Sequence, residues 1–269
     1  MQCDSFLSIR RRTGCSGRLS QPVILRLAVL IVTGLATGSA MAADGIESTA
    51  PIPIANGEMV VCWKDAHADS VLLHFHGAAD TVRRGYAASK FQGVLVVVNF
   101  PGLSSAYSTP IADDPDLFDQ ILNRGWSESH GQPEEDAQAD WEEISLSCFS
   151  AGYGAVREIL KSDAHFERLD ALIAADSIYA GLEPDSDSRV VRADQMRGFL
   201  RFAKCAVDEE KSFTLSHSSQ PTPYASTTET ADYLLDALGV PRESSSSVER
   251  DGMHQETQAA RGRFLVLGF

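Results

Sequence analysis

Ser145-Leu146-Ser147-Cys148-Phe149-Ser150-Ala151-Gly152-Tyr153-Gly154 is the stretch on which the reading of this chain turns. From Ile144 to Cys148 it reads as a strand. From Ala151 to Lys161 it reads as a helix, with Val156, Ile159 and Leu160 on one face. Small residues crowd the junction. A strand that passes into a helix within two residues leaves one side chain, Ser150, standing at the edge of the sheet. Small neighbours are needed there, because bulk two positions to either side collides with the adjoining strand and helix. A plain serine-capped helix following a strand has the same local pattern.

Working outward, short apolar runs alternate with amphipathic stretches. Met59 to Trp63, Val71 to Phe75, Gly93 to Phe100, Leu169 to Ala175, Phe213 to Ser216 and Arg263 to Phe269 read as further strands. The run Val94-Leu95-Val96-Val97-Val98 is unbroken, which suits a central strand buried on both faces. Helices are expected over Asp116–Asn123, Ala193–Val207 and Thr227–Leu238, the last opened by the capping-box pattern Ser226-Thr227-Thr228-Glu229. Glu128 to Ala139 and Ser244 to Ser247 are polar and read as loops. Strands alternating with helices predict an α/β chain, a mostly parallel, doubly wound sheet with helices on both faces. Ligand sites on such a sheet lie at the carboxyl ends of its strands.

Two motifs sit at those ends. The first is the bend at Ser150, which resembles the nucleophile elbow G-x-S-x-G of the α/β-hydrolase superfamily, with Cys148 as a compact hydrophobe in place of the first glycine. The second is Val71-Leu72-Leu73-His74-Phe75-His76-Gly77, a strand closing in His-Gly, one strand, helix and strand upstream. The order of these elements is similar to the α/β-hydrolase order over most of residues 58–269. Ser-Ala-Gly-Tyr-Gly-Ala and Thr227-Thr228-Glu229-Thr230 also look like secreted hydrolase-like proteins of bacteria. The resemblance implies a secreted, esterase- or lipase-like serine hydrolase acting on a small-molecule acyl substrate. It implies Ser150 as nucleophile, the backbone N–H groups of Ala151 and Ala78 as oxyanion donors, and His76 with Gly77 as the loop that places Ala78.

A serine nucleophile needs a base, and the base an orienting acid, in the chain order serine, acid, histidine. Asp176 follows the strand Leu169–Ala175 directly and is the expected acid; Asp185, Asp187 and Asp194 compete. The resemblance places the histidine after the last strand, where the chain ends at Phe269. Either a C-terminal truncation has removed the base, or an earlier histidine serves: His217, ending the strand Phe213–Ser216, or His254, which precedes the final strand and is expected at the opposite edge. A truncated sheet is expected to be poorly covered. The alternative is a hydrolase fold that binds a ligand without turnover.

The first 42 residues read as a secretory signal peptide. Arg10, Arg11, Arg12, Arg18 and Arg26 precede or flank the apolar run Leu27–Leu35, and Ala40-Met41-Ala42 supplies the cleavage site. The run is too short for a stable span, so an exported, periplasmic or secreted protein is expected, with residues 43–57 as a flexible leader. Removing residues 1–42 leaves 18 basic against 36 acidic residues, a formal charge of −18. That balance disfavours nucleic acid and anionic membranes as partners. An oxidising compartment permits a bridge between Cys62 and Cys205. His74 and His76 alternate on a strand with Asp80 beyond them, but no further ligand follows at metal-binding spacing, so no metal is expected. No cofactor is expected either, since there is no phosphate-cradling glycine loop and no dinucleotide fingerprint. Tyr107, Phe118, Trp126 and Trp141 are candidates for an aromatic roof over the site or for ordinary core.

Overall fold

A computed structural model of the chain describes residues 45–184, 188–250 and 253–269. The expected signal peptide, Asp185 and Asp187 lie outside the described residues. Among the described residues eleven strands form one sheet: β1 (Glu47–Ser48), β2 (Ile52–Ile54), β3 (Gly57–Trp63), β4 (Ser70–Phe75), β5 (Val94–Asn99), β6 (Glu143–Ser150), β7 (Leu169–Ser177), β8 (Ser212–His217), β9 (Glu243–Arg250), β10 (Met253–Arg261) and β11 (Phe264–Gly268). Their order is β1-β3-β5-β4-β6-β7-β8-β11-β10-β9, with β2 paired to β3. The six central strands, β5 to β11 in that order, are parallel. β3 and the β9–β10 hairpin add antiparallel flanks.

The helices are α1 (Ala79–Ala88), α2 (Ser104–Asp113), α3 (Leu117–His130), α4 (Tyr153–Ile159), α5 (Asp163–Arg168), α6 (Ala193–Val207) and α7 (Thr227–Leu238). Successive side chains along a strand face opposite ways, and the central strands divide accordingly. Leu72, Leu95, Val97 and Ile173 join one apolar cluster with Val82 and Tyr86 of α1. Leu73, Val96, Leu146 and Leu172 join a larger one with Phe118 of α3, Val156 of α4 and Phe199 of α6. Both faces of the sheet are thus covered, and the fold is an α/β-hydrolase-like, doubly wound one.

The capping box at α7 is present in full: Ser226 Oγ accepts from the Glu229 N–H and Glu229 Oε2 accepts from the Ser226 N–H. Several expectations are corrected. Residues 47–54 of the supposed leader are drawn into the sheet, pairing with β3. Ser244–Ser247 lies inside β9 rather than in a loop, held by its ladder to β10. The last parallel strand is not left bare: the hairpin covers its free side, and Phe264, Val266 and Leu267 are buried. Cys62, Cys148 and Cys205 are all free thiols. Cys62 packs in the α1-side cluster while Cys205 packs against the other, so the sheet separates the proposed bridge partners. No helix among the described residues is long and apolar enough to cross a membrane.

Candidate active site

Ser150 closes β6 with φ 42°, in the left-handed region that non-glycine residues seldom visit. The bend is fixed by what surrounds it. A Cβ on Gly152 would stand 2.1 Å from the carbonyl oxygen of Phe75, and one on Gly154 would stand 2.2 Å from that of Ser104. Only glycine lets the start of α4 lie this close to β4 and α2. From the other side, Ser177 Oγ donates to the Ser150 carbonyl at 2.8 Å, tying the bend to β7. Cys148 beneath it is fully buried, and burial pushes its thiol up to about 12, which leaves an inert packing group.

The Ser150 hydroxyl has no hydrogen-bond partner among the described residues. It opens on a cleft of about 310 Å³ bordered by Leu103, Tyr153, Tyr179, Gln195 and Tyr224. The N–H of Ala151 has no acceptor among the described residues. The same is true of Ala78, which lies at the α1 entrance with extended backbone. The loop carrying Ala78 is braced by Asn99, which sequence reading passed over, and by His74 and His76. Asn99 brackets Gly77, accepting from its N–H at 3.1 Å and donating to its carbonyl at 2.9 Å. His74, fully buried, donates through Nε2 to the His76 carbonyl at 2.8 Å and accepts at Nδ1 from Ser147 Oγ at 2.7 Å. Burial lowers His74 to about 4, so it is a neutral strut. His76 leaves the strand with φ 73°, bonds Tyr107 Oη through Nδ1 at 2.8 Å and stacks on Phe149. The two imidazoles therefore do not share a face as strand alternation suggested. Among the described residues no group of three His, Cys, Asp or Glu side chains is placed to hold a metal ion.

The acid and base positions differ in kind. Asp176 is the penultimate residue of β7, at φ 40° and beside the bend, since Ser150 pairs with Ser177. Its Oδ1 accepts from the Ser218 N–H at 3.0 Å, Ser218 Oγ at 2.8 Å and Thr227 Oγ1 at 3.0 Å. It thus secures the turn between β8 and α7. Asp194 pairs with Arg192 at the start of α6. His217 ends β8 and is buried opposite Gly268 of β11. Its Nε2 faces the Arg242 guanidinium at 2.6 Å and its Nδ1 faces Thr228 Oγ1 at 3.0 Å. A guanidinium only donates, so Nε2 accepts, and the ring proton is on Nδ1. Burial first, and Arg242 second, lower His217 to about 4. The expected relay of Ser150, His217 and Asp176 is therefore not assembled: the nitrogen that would take the serine proton already accepts a hydrogen bond from Arg242, and the carboxylate binds Ser218 and Thr227.

His254 is a correction of another sort. Because β10 runs antiparallel to β11, its first residues lie past the carboxyl end of β11, on the functional edge and not the opposite one. It is exposed, however, and β10 stands four strands from β6. At about 4.8 Å per strand that is roughly 19 Å of sheet. The aromatic roof is not formed by the residues named from sequence. Tyr107, Phe118 and Trp141 are core, and Trp126 stacks on His130. The rings at the cleft are Tyr153, Tyr179 and Tyr224.

The chain matches no protein-family model and no curated protein sequence. Solved structures align with it at low sequence identity. A cold-adapted esterase from an Arctic intertidal metagenomic library, in its zinc-bound form, is 14% identical over 76% of this chain and 83% of that one, with a TM-score of 0.38. The Francisella virulence factor BioJ is 12% identical over 81% and 76% of the two chains, at 0.40. An esterase of the bacterial hormone-sensitive lipase family is 14% identical over 82% and 83%, at 0.38. The strand order and the bend at Ser150 define the fold.

Proposed function

We propose that this chain is an exported serine hydrolase that attacks an acyl ester through Ser150. The observation that carries the reading is the Ser150 hydroxyl: unpartnered among the described residues, held at a left-handed strand-to-helix bend, and open to a cleft. A hydroxyl so placed approaches a bound carbonyl with no hydrogen bond to break. The tetrahedral oxyanion would be met by the N–H groups of Ala151 and Ala78. His217 serves as base once its Nε2 parts from Arg242, and Asp176 fixes the Ser218 turn that sets the place of that imidazole. The small-molecule ester substrate and export through residues 1–42 belong to the same proposal.

Labelling with a fluorophosphonate serine probe tests it. The folded chain should label and Ser150→Ala should not; equal labelling of both removes Ser150 from the role. Absent labelling of a well-folded chain makes the cleft a ligand-binding site without turnover. Arg242→Gln frees the His217 lone pair and should raise the labelling rate about tenfold, a modest part of what a general base contributes. A rate that is unchanged in both Arg242→Gln and His217→Ala takes His217 out of the mechanism.

A further inference from the structure

We propose that the cleft beside Ser150 selects uncharged aromatic esters of about phenyl size, a specificity that rests on the hydrolase reading above. Among the described residues its lining contains no Asp, Glu, Lys, Arg or His. A carboxylate entering it would lose water without gaining a charged partner, in a chain whose formal charge is already −14.

A cation fares no better. Tyrosine faces attract cations, but the Arg157 guanidinium already lies 4.7 Å from the centre of the Tyr153 ring, and a second positive charge would be repelled by it. The same Arg157 donates to the Tyr179 backbone carbonyl, so one half-buried group touches the first ring and holds the backbone of the second. Tyr153, Tyr179 and Tyr224 form a chain of ring contacts. The first pair is tilted, with centres 5.7 Å apart, and the second is edge-to-face at 5.4 Å. Rings in such contact favour a further ring offset or edge-on to them. The mouth is apolar as well: Leu103 is 79% exposed and Tyr224 47% exposed, at a site where most large apolar groups of the chain are buried.

One directed polar group remains. Gln195 Oε1 accepts from the Gly181 N–H at 2.8 Å, which fixes the amide. Its NH₂ has no acceptor among the described residues and is left to donate to a neutral oxygen of the ligand. In the reaction the Ser150 oxygen bonds to the acyl carbon as the bond to the aryl oxygen breaks. The serine proton leaves with that oxygen as a phenol, and water then releases the acid.

Binding to the full-length Ser150→Ala chain, followed by ligand-observed NMR, separates recognition from reactivity. Phenyl acetate should bind at least fivefold more tightly than cyclohexyl acetate, which matches it in size but lacks the ring. It should also bind at least tenfold more tightly than 4-acetoxybenzoate or acetylcholine. Tyr224→Ala should erase the phenyl-over-cyclohexyl preference and Tyr224→Phe should keep it. Gln195→Leu should weaken both neutral esters alike. Equal binding of all four ligands, tighter binding of either charged one, or no binding of phenyl acetate overturns the proposal. Phosphonate labelling of the unsubstituted chain reports separately on Ser150. Labelling without ring preference sinks the specificity alone, and ring preference without labelling sinks the ester chemistry alone.

Discussion

The two halves of the strand edge are built alike and used differently. At the β4–β6 half, Ser150 and His76 take left-handed backbone, and the hydroxyl of Ser150 with the N–H groups of Ala78 and Ala151 is left open. At the β7–β8 half, Asp176 also takes left-handed backbone, yet its carboxylate and both nitrogens of His217 are engaged. Strained backbone is common to both, so strain by itself does not mark the reacting group. What separates them is unfilled hydrogen-bonding capacity. The open half has the character of a site waiting for a ligand, and the closed half that of a scaffold until Nε2 of His217 parts from Arg242.

The largest effect expected of this contrast is on acid stability. His74 under the open half and His217 in the closed half are both lowered from the ordinary imidazole value to about 4. Each is neutral in the fold, so protonation of the unfolded chain draws the equilibrium away from it. The stability is fully present above about pH 6.5 and falls as pH drops toward 4, by roughly 3 kcal/mol per imidazole. Urea midpoints measured from pH 7.5 to 4 should show this, and His217→Gln should remove the closed half's share. A pH-independent midpoint would break the symmetry drawn between the two imidazoles.

Gly152→Ala comes next. It drives a Cβ against the Phe75 carbonyl and should cost on the order of 3 kcal/mol, together with the labelling of Ser150. A variant of unchanged midpoint would mean that the bend is looser than the packing says. Asp176→Ala strips the acceptor from Ser218 and Thr227 and should cost about 2 kcal/mol, read as a shift in thermal midpoint; a neutral result would make this carboxylate no lock. The smallest change is Ser226→Ala, which removes the helix cap that shares the closed half's turn. It should cost about 1 kcal/mol, and hydrogen exchange in the first turn of α7 should quicken.

What the sequence disclosed follows the range of the interactions involved. Unbroken apolar runs such as Val94–Val98 and the local cap at Ser226 are written within a few residues, and the strands and α7 were legible from them. The bend was legible because Gly152 and Gly154 answer a steric demand within the same ten residues. β9 was not, since Ser244-Ser245-Ser246-Ser247 has neither alternation nor strand-favouring side chains, and it is a strand only because β10 offers it a ladder. α2 was missed too, its helical pattern being interrupted by Pro110. The state of His217 was the least legible feature of all. It depends on Arg242, 25 residues away along the chain, and on Thr228 across the turn, pairings that no local pattern announces.

The placing of the indole and phenol rings gives the molecule two optical windows. Trp63 follows the β3 residues that pair with the start of β5, Trp141 precedes β6, and Trp126 packs edge-on to Trp141, so all three tryptophans watch the amino-end rim of the sheet. Tyr153, Tyr179 and Tyr224 watch the opposite rim. Emission excited at the red edge of the indole band should stay silent while a ligand fills the cleft, and the near-ultraviolet dichroism of the phenols should change.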